Sequence, residues 1–237
     1  MGDAIEVREL NVTRGGSRVL NGLSLMIDSG AITGIIGPSG SGKSTLIRSI
    51  AGVQVTAGGS VNVLGTPAGS KSNRSRVAYL TQGGSIYPDL TAAQNVRHFA
   101  TLSRRPTADV DEALARVDLS GQAHQLVSTM SGGQRARVGL ASVLVTGADV
   151  LLLDEPTVGL DPVLRADLWS LFARLAHEGK TLIVSSHVMD EAAQCDRVVL
   201  LRDGAILADG TPEQLRAQAG TSDLDEAFVR LAQGSVS

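Results

Sequence analysis

The chain has 237 residues, 43% of them hydrophobic, with Lys+Arg 21 against Asp+Glu 24 for a formal net charge of −3. That is enough apolar material for one large domain with a buried core, and the mixed charge forms no basic stripe that would support nucleic-acid binding. The lone Cys195 excludes an internal disulfide and reads as a small buried hydrophobe, and no apolar run approaches the roughly 20 residues a membrane helix needs.

In chain order, the opening MGDAIEVREL lacks the basic and apolar regions of a secretory leader, so the chain is expected to stay in the cytoplasm. Apolar and polar residues alternate through the first thirty positions (Ile5, Val7; Leu23, Leu25, Ile27) around Gly15 and Gly16, which predicts a small antiparallel hairpin region. The apolar run AITGII then leads into GPSGSGKST: Gly37, Pro38, Ser39, Gly40, Ser41, Gly42, Lys43, Ser44 and Thr45. A strand entering GxxxxGKS, with Leu46, Ile47, Ile50 and Ala51 at helical spacing after it and Gly52 to stop that helix, reads as a phosphate cradle. Its glycines let backbone N–H groups converge on phosphate oxygens, Lys43 reaches the β- and γ-phosphates, and the Ser44 hydroxyl ligates Mg²⁺.

After the Gly- and Ser-rich stretch 57–75 comes a strand, RVAYL, from Arg76 to Leu80. Between about 90 and 146 the pattern turns helical, with Thr91 and Thr107 as caps and Val110, Ala113, Leu114 and Val117 on one face. Strand-like DVLLLDE follows, then a helix opening at Asp161-Pro162 with Leu164, Leu168, Leu171 and Leu175 on one face. Strands TLIVSS and RVVLL, the latter turning at Asp203-Gly204, precede two short helices over 212–219 and roughly 222–232. Strands alternating with helices predict an α/β fold around a mostly parallel sheet.

Two segments carry further chemistry. VLLLDEP, ending near residue 156, delivers two carboxylates to the carboxyl end of a buried strand, where ligands of open α/β sheets gather. Asp154 is expected to hold Mg²⁺ through water, and Glu155, projecting differently, to orient or deprotonate an attacking water. Ser131, Gly132, Gly133 and Gln134 open an apolar-faced helix (Val138, Ala141, Val145), so their free N–H groups form a second anion site.

SGGQ placed before DVLLLDEP resembles the LSGGQ signature of the ATP-binding-cassette (ABC) family, with Met130 in place of Leu, and the resemblance covers nearly the whole chain. It implies a P-loop NTPase core in a single domain over 1–237. That domain would have an antiparallel β subdomain mainly within 1–30 and 58–75, a helical subdomain at about 90–146 and short C-terminal helices at 212–232. Gln82 resembles the Q-loop glutamine, a ligand of Mg²⁺ and a contact of the attacking water; Asp161 resembles the D-loop aspartate, and His187 the switch histidine at the γ-phosphate. His98, His124 and His177 match no motif. Where the family usually carries an aromatic residue against adenine, this chain has Arg14, whose planar guanidinium can also stack on a base.

The family's mechanism implies ATP and Mg²⁺ as ligands and a head-to-tail pair of chains, here expected to be a homodimer, in which Ser131, Gly132, Gly133 and Gln134 meet the partner's ATP. It also implies a separate membrane permease and a location on the cytoplasmic face of the membrane; no nucleic-acid partner is expected. SIYPDLTAAQNV, despite Gln94 where Glu is common, and DLDEAFVRL resemble the exporter branch that handles drugs, lipids or polysaccharides. No long C-terminal extension of the kind many import cassettes carry is present in the sequence. An importer subunit and a non-transport cassette remain the alternative readings, whereas a small-molecule kinase would leave SGGQ and the Asp-Glu pair unexplained.

Overall fold

In the computed structural model, which describes residues 2–83, 85–106 and 109–234, the alternation of the first thirty residues becomes two long paired strands. β1 (Asp3–Arg14) and β2 (Ser17–Asp28) run antiparallel with Arg14 opposite Ser17. Gly15 and Gly16 between them sit at φ 54° and 80°, left-handed conformations that suit a tight hairpin turn and favour glycine. β3 (Ile32–Ile36) is buried along its whole length. β4 (Gly58–Val63) pairs with the other edge of β1, and the two-residue β5 (Thr66–Pro67) completes a four-stranded sheet of order β2-β1-β4-β5.

The second sheet is built from β3, β6 (Val77–Leu80), β7 (Val150–Asp154), β8 (Thr181–Ser186), β9 (Arg197–Arg202) and β10 (Ala205–Gly210). Its order is β10-β9-β3-β8-β7-β6; all pairs are parallel except the β9–β10 edge. β6 starts one position later than the expected strand, because the Arg76 N–H donates to the Asn73 carbonyl in a turn. Both faces of this sheet are covered, which is why its strands read as continuous apolar runs. Successive residues of β7 feed opposite cores: Val150 and Leu152 join the cluster against the antiparallel sheet and α1 (Lys43–Ile50), and Leu151 and Leu153 join the cluster formed with the remaining helices.

On that second side, α2 (Ala92–Leu102), α3 (Asp109–Arg116) and α4 (Gly132–Leu144) pack on one another. Thr91 caps α2 as expected, in a capping box with Gln94, the residue standing where Glu is common. Thr107 lies outside the described residues. α5 (Pro162–His177) buries Leu168, Trp169, Leu171, Phe172 and Leu175, with Trp169 and Phe172 edge-to-face at 5.4 Å. α6 (Pro212–Ala219) matches its expected span; α7 (Leu224–Gly234) starts later than position 222 because the Asp223 carboxylate accepts from the Glu226 N–H at 3.0 Å and fixes the first turn there.

Candidate nucleotide site

The parallel strands β3, β7 and β8 end side by side, and the loops leaving them form the site. Gly42 caps α1 at φ 107°, and a Cβ there would come within 2.8 Å of Leu20 Cδ2; at Gly37 a Cβ would lie 2.0 Å from the Leu201 carbonyl oxygen. Only glycine fits these two positions, and together they let residues 37–42 wrap around the start of α1, whose free N–H groups favour an anion. The loop borders an open cleft of 480 Å³ lined by Arg14, Val19, Ser39, Gly40, Gly42, Lys43, Ser44, Thr45, Arg48, Gln82 and Glu155. The Ser41 hydroxyl oxygen is buried with no hydrogen-bond partner among the described residues.

Lys43 is 4% exposed, and its ammonium donates to the carbonyls of Gly37 at 2.7 Å and Pro38 at 3.0 Å. It stands 3.6 Å from Glu155 Oε1. Burial pushes the Lys43 ammonium below its ordinary range, and the Glu155 carboxylate opposes that shift. This cation is held by two carbonyls and one carboxylate beside a glycine loop, an arrangement ready for the negative charge of a triphosphate.

Asp154 ends β7 and is buried at 1% exposure. Its Oδ1 accepts from Ser44 Oγ at 2.9 Å and from Ser185 Oγ at 2.8 Å, and its Oδ2 accepts from the Tyr79 hydroxyl at 3.2 Å. Glu155, next in sequence, turns the other way. Its Oε2 accepts from Gln82 Nε2 at 3.1 Å and lies 3.4 Å from His187 Nδ1. Six expected site residues, Lys43, Ser44, Gln82, Asp154, Glu155 and His187, therefore form one connected cluster, and Arg14 lies on the rim of the same cleft.

Tyr79 and Ser185 belong to this cluster and carry no motif. Ser185 is set opposite Asp154 by the β7–β8 register, and Tyr79 reaches it from β6, which flanks β7. Strand order was the missing signal. Burial pushes the Tyr79 phenol above its ordinary range, so it stays a donor to Asp154.

Ser131, Gly132, Gly133, Gln134 and Asp161 do not line the cleft. Ser131 and Gln134 form a capping box: Ser131 Oγ accepts from the Gln134 N–H at 3.2 Å, and Gln134 Oε1 accepts from the Ser131 N–H at 2.9 Å. Asp161 caps α5, its Oδ1 accepting from the N–H groups of Val163 and Leu164, each at 3.0 Å. Cys195 is buried as expected, with its thiol pushed up to about 12 by desolvation.

The arrangement has close counterparts in known proteins. A sequence model described as ABC transporter matches residues 20–158. The methionine import ATP-binding protein MetN of Caulobacter vibrioides is 39% identical, over 94% of this chain and 70% of its own length. The Nod factor export ATP-binding protein I of Rhizobium meliloti is 35% identical over 90% of this chain and 65% of its own. The chain spans 32% of the ABC transporter G family member 20 of Dictyostelium discoideum, with 35% identity over 97% of this chain. An ATP binding subunit of an ABC transporter superposes with a TM-score of 0.87 at 26% identity, covering 97% of this chain and 99% of the other. A dimeric ATP-binding cassette in a post-hydrolysis state with ADP and Pi bound superposes at 0.81, with 25% identity over 87% and 98% of the two chains. With the phosphate loop, the acidic pair, the glutamine and the histidine gathered at one cleft, this chain belongs to the ABC transporter family, as an ATP-hydrolysing ATP-binding domain.

Proposed function

We propose that residues 1–237 act as one ATPase domain that energises a separate membrane permease. The observation that carries this reading is Glu155, whose carboxylate meets Lys43, Gln82 and His187 at the floor of the cleft. In the proposed reaction Glu155 takes a proton from the attacking water as its oxygen bonds the γ-phosphorus. The bond from that phosphorus to the β,γ-bridging oxygen breaks, releasing ADP and phosphate. Lys43 and His187 offset the charge that accumulates on the phosphoryl oxygens, and the backbone N–H groups of residues 37–45 hold the triphosphate. The Ser44 hydroxyl, the Gln82 amide oxygen and the Asp154 carboxylate form a hard oxygen donor set that suits Mg²⁺, which would neutralise phosphate charge there. Arg14 lines the rim of the cleft, which supports a role in stacking on the adenine.

The signature residues Ser131, Gly132, Gly133 and Gln134 have no contact with the cleft of their own chain, which supports a head-to-tail homodimer in which they face the partner's triphosphate. Asp161 would lie along the same junction. No helix among the described residues is long and apolar enough to cross a membrane. In the proposed reading the permease is a separate part, and this domain sits against it on the cytoplasmic face. The SIYPDLT stretch, with Tyr87 exposed, and the exporting Nod factor relative support efflux of a drug, lipid or polysaccharide. Import is the second reading, supported by the methionine-importing relative.

The test is to purify tagged Glu155→Gln chain with ATP from gently solubilised native membranes and identify co-purifying proteins by mass spectrometry. A stoichiometric polytopic membrane protein is expected. Recovery only from the soluble fraction, with nucleic acid or ribosomes attached, would contradict the transporter reading and favour a non-transport cassette.

A further inference from the structure

A second polar cluster lies outside the nucleotide cleft. A groove of 400 Å³ runs between α5 and the 3₁₀ turn Met189–Gln194, with Arg165, Trp169, Asp190 and Glu191 among its lining. Glu191 is 2% exposed, and neither of its carboxylate oxygens has a hydrogen-bond partner among the described residues. Arg165 Nε, 3.6 Å from Glu191 Oε1, and the Trp169 indole N–H are buried and equally unbonded. Leaving a buried carboxylate without donors is unfavourable, and a guanidinium at this distance is only about 0.7 Å short of a charge-assisted bond.

The two elements that meet here each carry a motif residue. Arg165 is in the first turn of α5, and its backbone N–H donates to the Asp161 carbonyl at 3.0 Å, in the turn that the Asp161 carboxylate caps. Glu191 is in the turn that follows His187, its N–H donating to the Val188 carbonyl at 3.3 Å. The Arg165–Glu191 pair is therefore a side-chain link between the helix governed by Asp161 and the segment that bears His187.

We infer that Arg165 and Glu191 are positioning residues, and that closure of their gap into a direct hydrogen-bonded pair seats the His187 segment against the γ-phosphate in step with movement at Asp161. A sub-ångström shift is enough, and burial keeps the attraction from being screened by salt. The inference rests on the ATPase reading above, so nucleotide binding must be measured alongside it.

Trp169 is the chain's one tryptophan and lines the groove, so its emission reports on this place directly. In the Glu155→Gln chain, Mg-ATP should change Trp169 emission in proportion to nucleotide bound, as followed by equilibrium dialysis. Adding Glu191→Gln, which keeps the side chain's shape, should leave binding intact and remove the emission change. With Glu155 native, Glu191→Gln and Arg165→Leu should each lower kcat about tenfold with KM for ATP within about twofold, a loss confined to the transition state. The double variant should be no worse than either single, and Arg165→Lys should recover most of kcat. ATP bound with no change in emission, a change that survives Glu191→Gln, or single variants with normal kcat would each overturn the inference while leaving the ATPase standing. Failure to bind ATP at all would overturn both.

Discussion

Glu155 holds a backbone φ of 52°, a left-handed conformation that a residue with a side chain keeps only where its surroundings enforce it. The enforcement is visible: its N–H donates to Ser185 Oγ at 2.9 Å, and that hydroxyl donates to Asp154. The turn lets neighbouring carboxylates serve different ends, Asp154 toward Ser44 and Glu155 toward Lys43, Gln82 and His187. Lys43 makes a pH-dependent prediction. Its folded-state pKa is lowered by burial, and triphosphate charge favours the ammonium, so binding ATP takes up a proton once the free site has begun to lose one. ATP affinity should therefore be flat near neutral pH and fall as pH rises through the window below the ordinary value of 10.5; calorimetric affinity that stays level to the top of that window would contradict it. Arg14→Ala should weaken ATP binding by about twofold to fivefold, the range of an exposed stacking contact. Unchanged affinity would remove Arg14 from the site. Lys43, Asp154 and Glu155 were legible because a phosphate loop and an apolar strand ending in Asp-Glu are local patterns. Tyr79 and Ser185 were not, since their nearness to Asp154 depends on which strands flank β7.

Among the elements, α4 opens with two neighbouring glycines whose surroundings differ. Gly133 is buried, and a Cβ there would lie 2.4 Å from Leu164 Cδ1, so this glycine serves the packing of α4 on α5. At Gly132 a Cβ would meet nothing within 4 Å. The two glycines separate by experiment. Gly132→Val should leave the melting temperature within about 2 °C and keep ATP binding while suppressing ATP-dependent pairing and hydrolysis, whereas Gly133→Val should unfold several degrees earlier through overpacking. Equal behaviour of the two variants, read by thermal melts and light scattering, would contradict a surface role for Gly132. Helices were legible where a capping residue precedes an apolar face, as at Thr91, Ser131 and Asp161. β4 and β5 were expected only through the family resemblance, within 58–75, because their own residues do not alternate and β4 depends on pairing with distant β1, where Val7 lies opposite Val61. The returning edge strand β10 was expected no further than the turn at Asp203-Gly204, although it pairs locally with β9.

At the scale of the whole molecule, the six-stranded sheet gathers the phosphate loop, the acidic pair and His187 at the ends of neighbouring strands. It leaves the signature turn outside the cleft of its own chain. On the proposed reading, one copy thus holds two separate halves of an ATP clamp. The account's central claim is that two copies close on ATP and that Glu155 reopens them by hydrolysis. Light scattering on Glu155→Gln chain, with and without Mg-ATP at saturating concentration, tests this most directly. The account predicts a monomer without nucleotide and a stable dimer with it, retaining one ATP per chain. A chain that binds ATP and stays monomeric would contradict it.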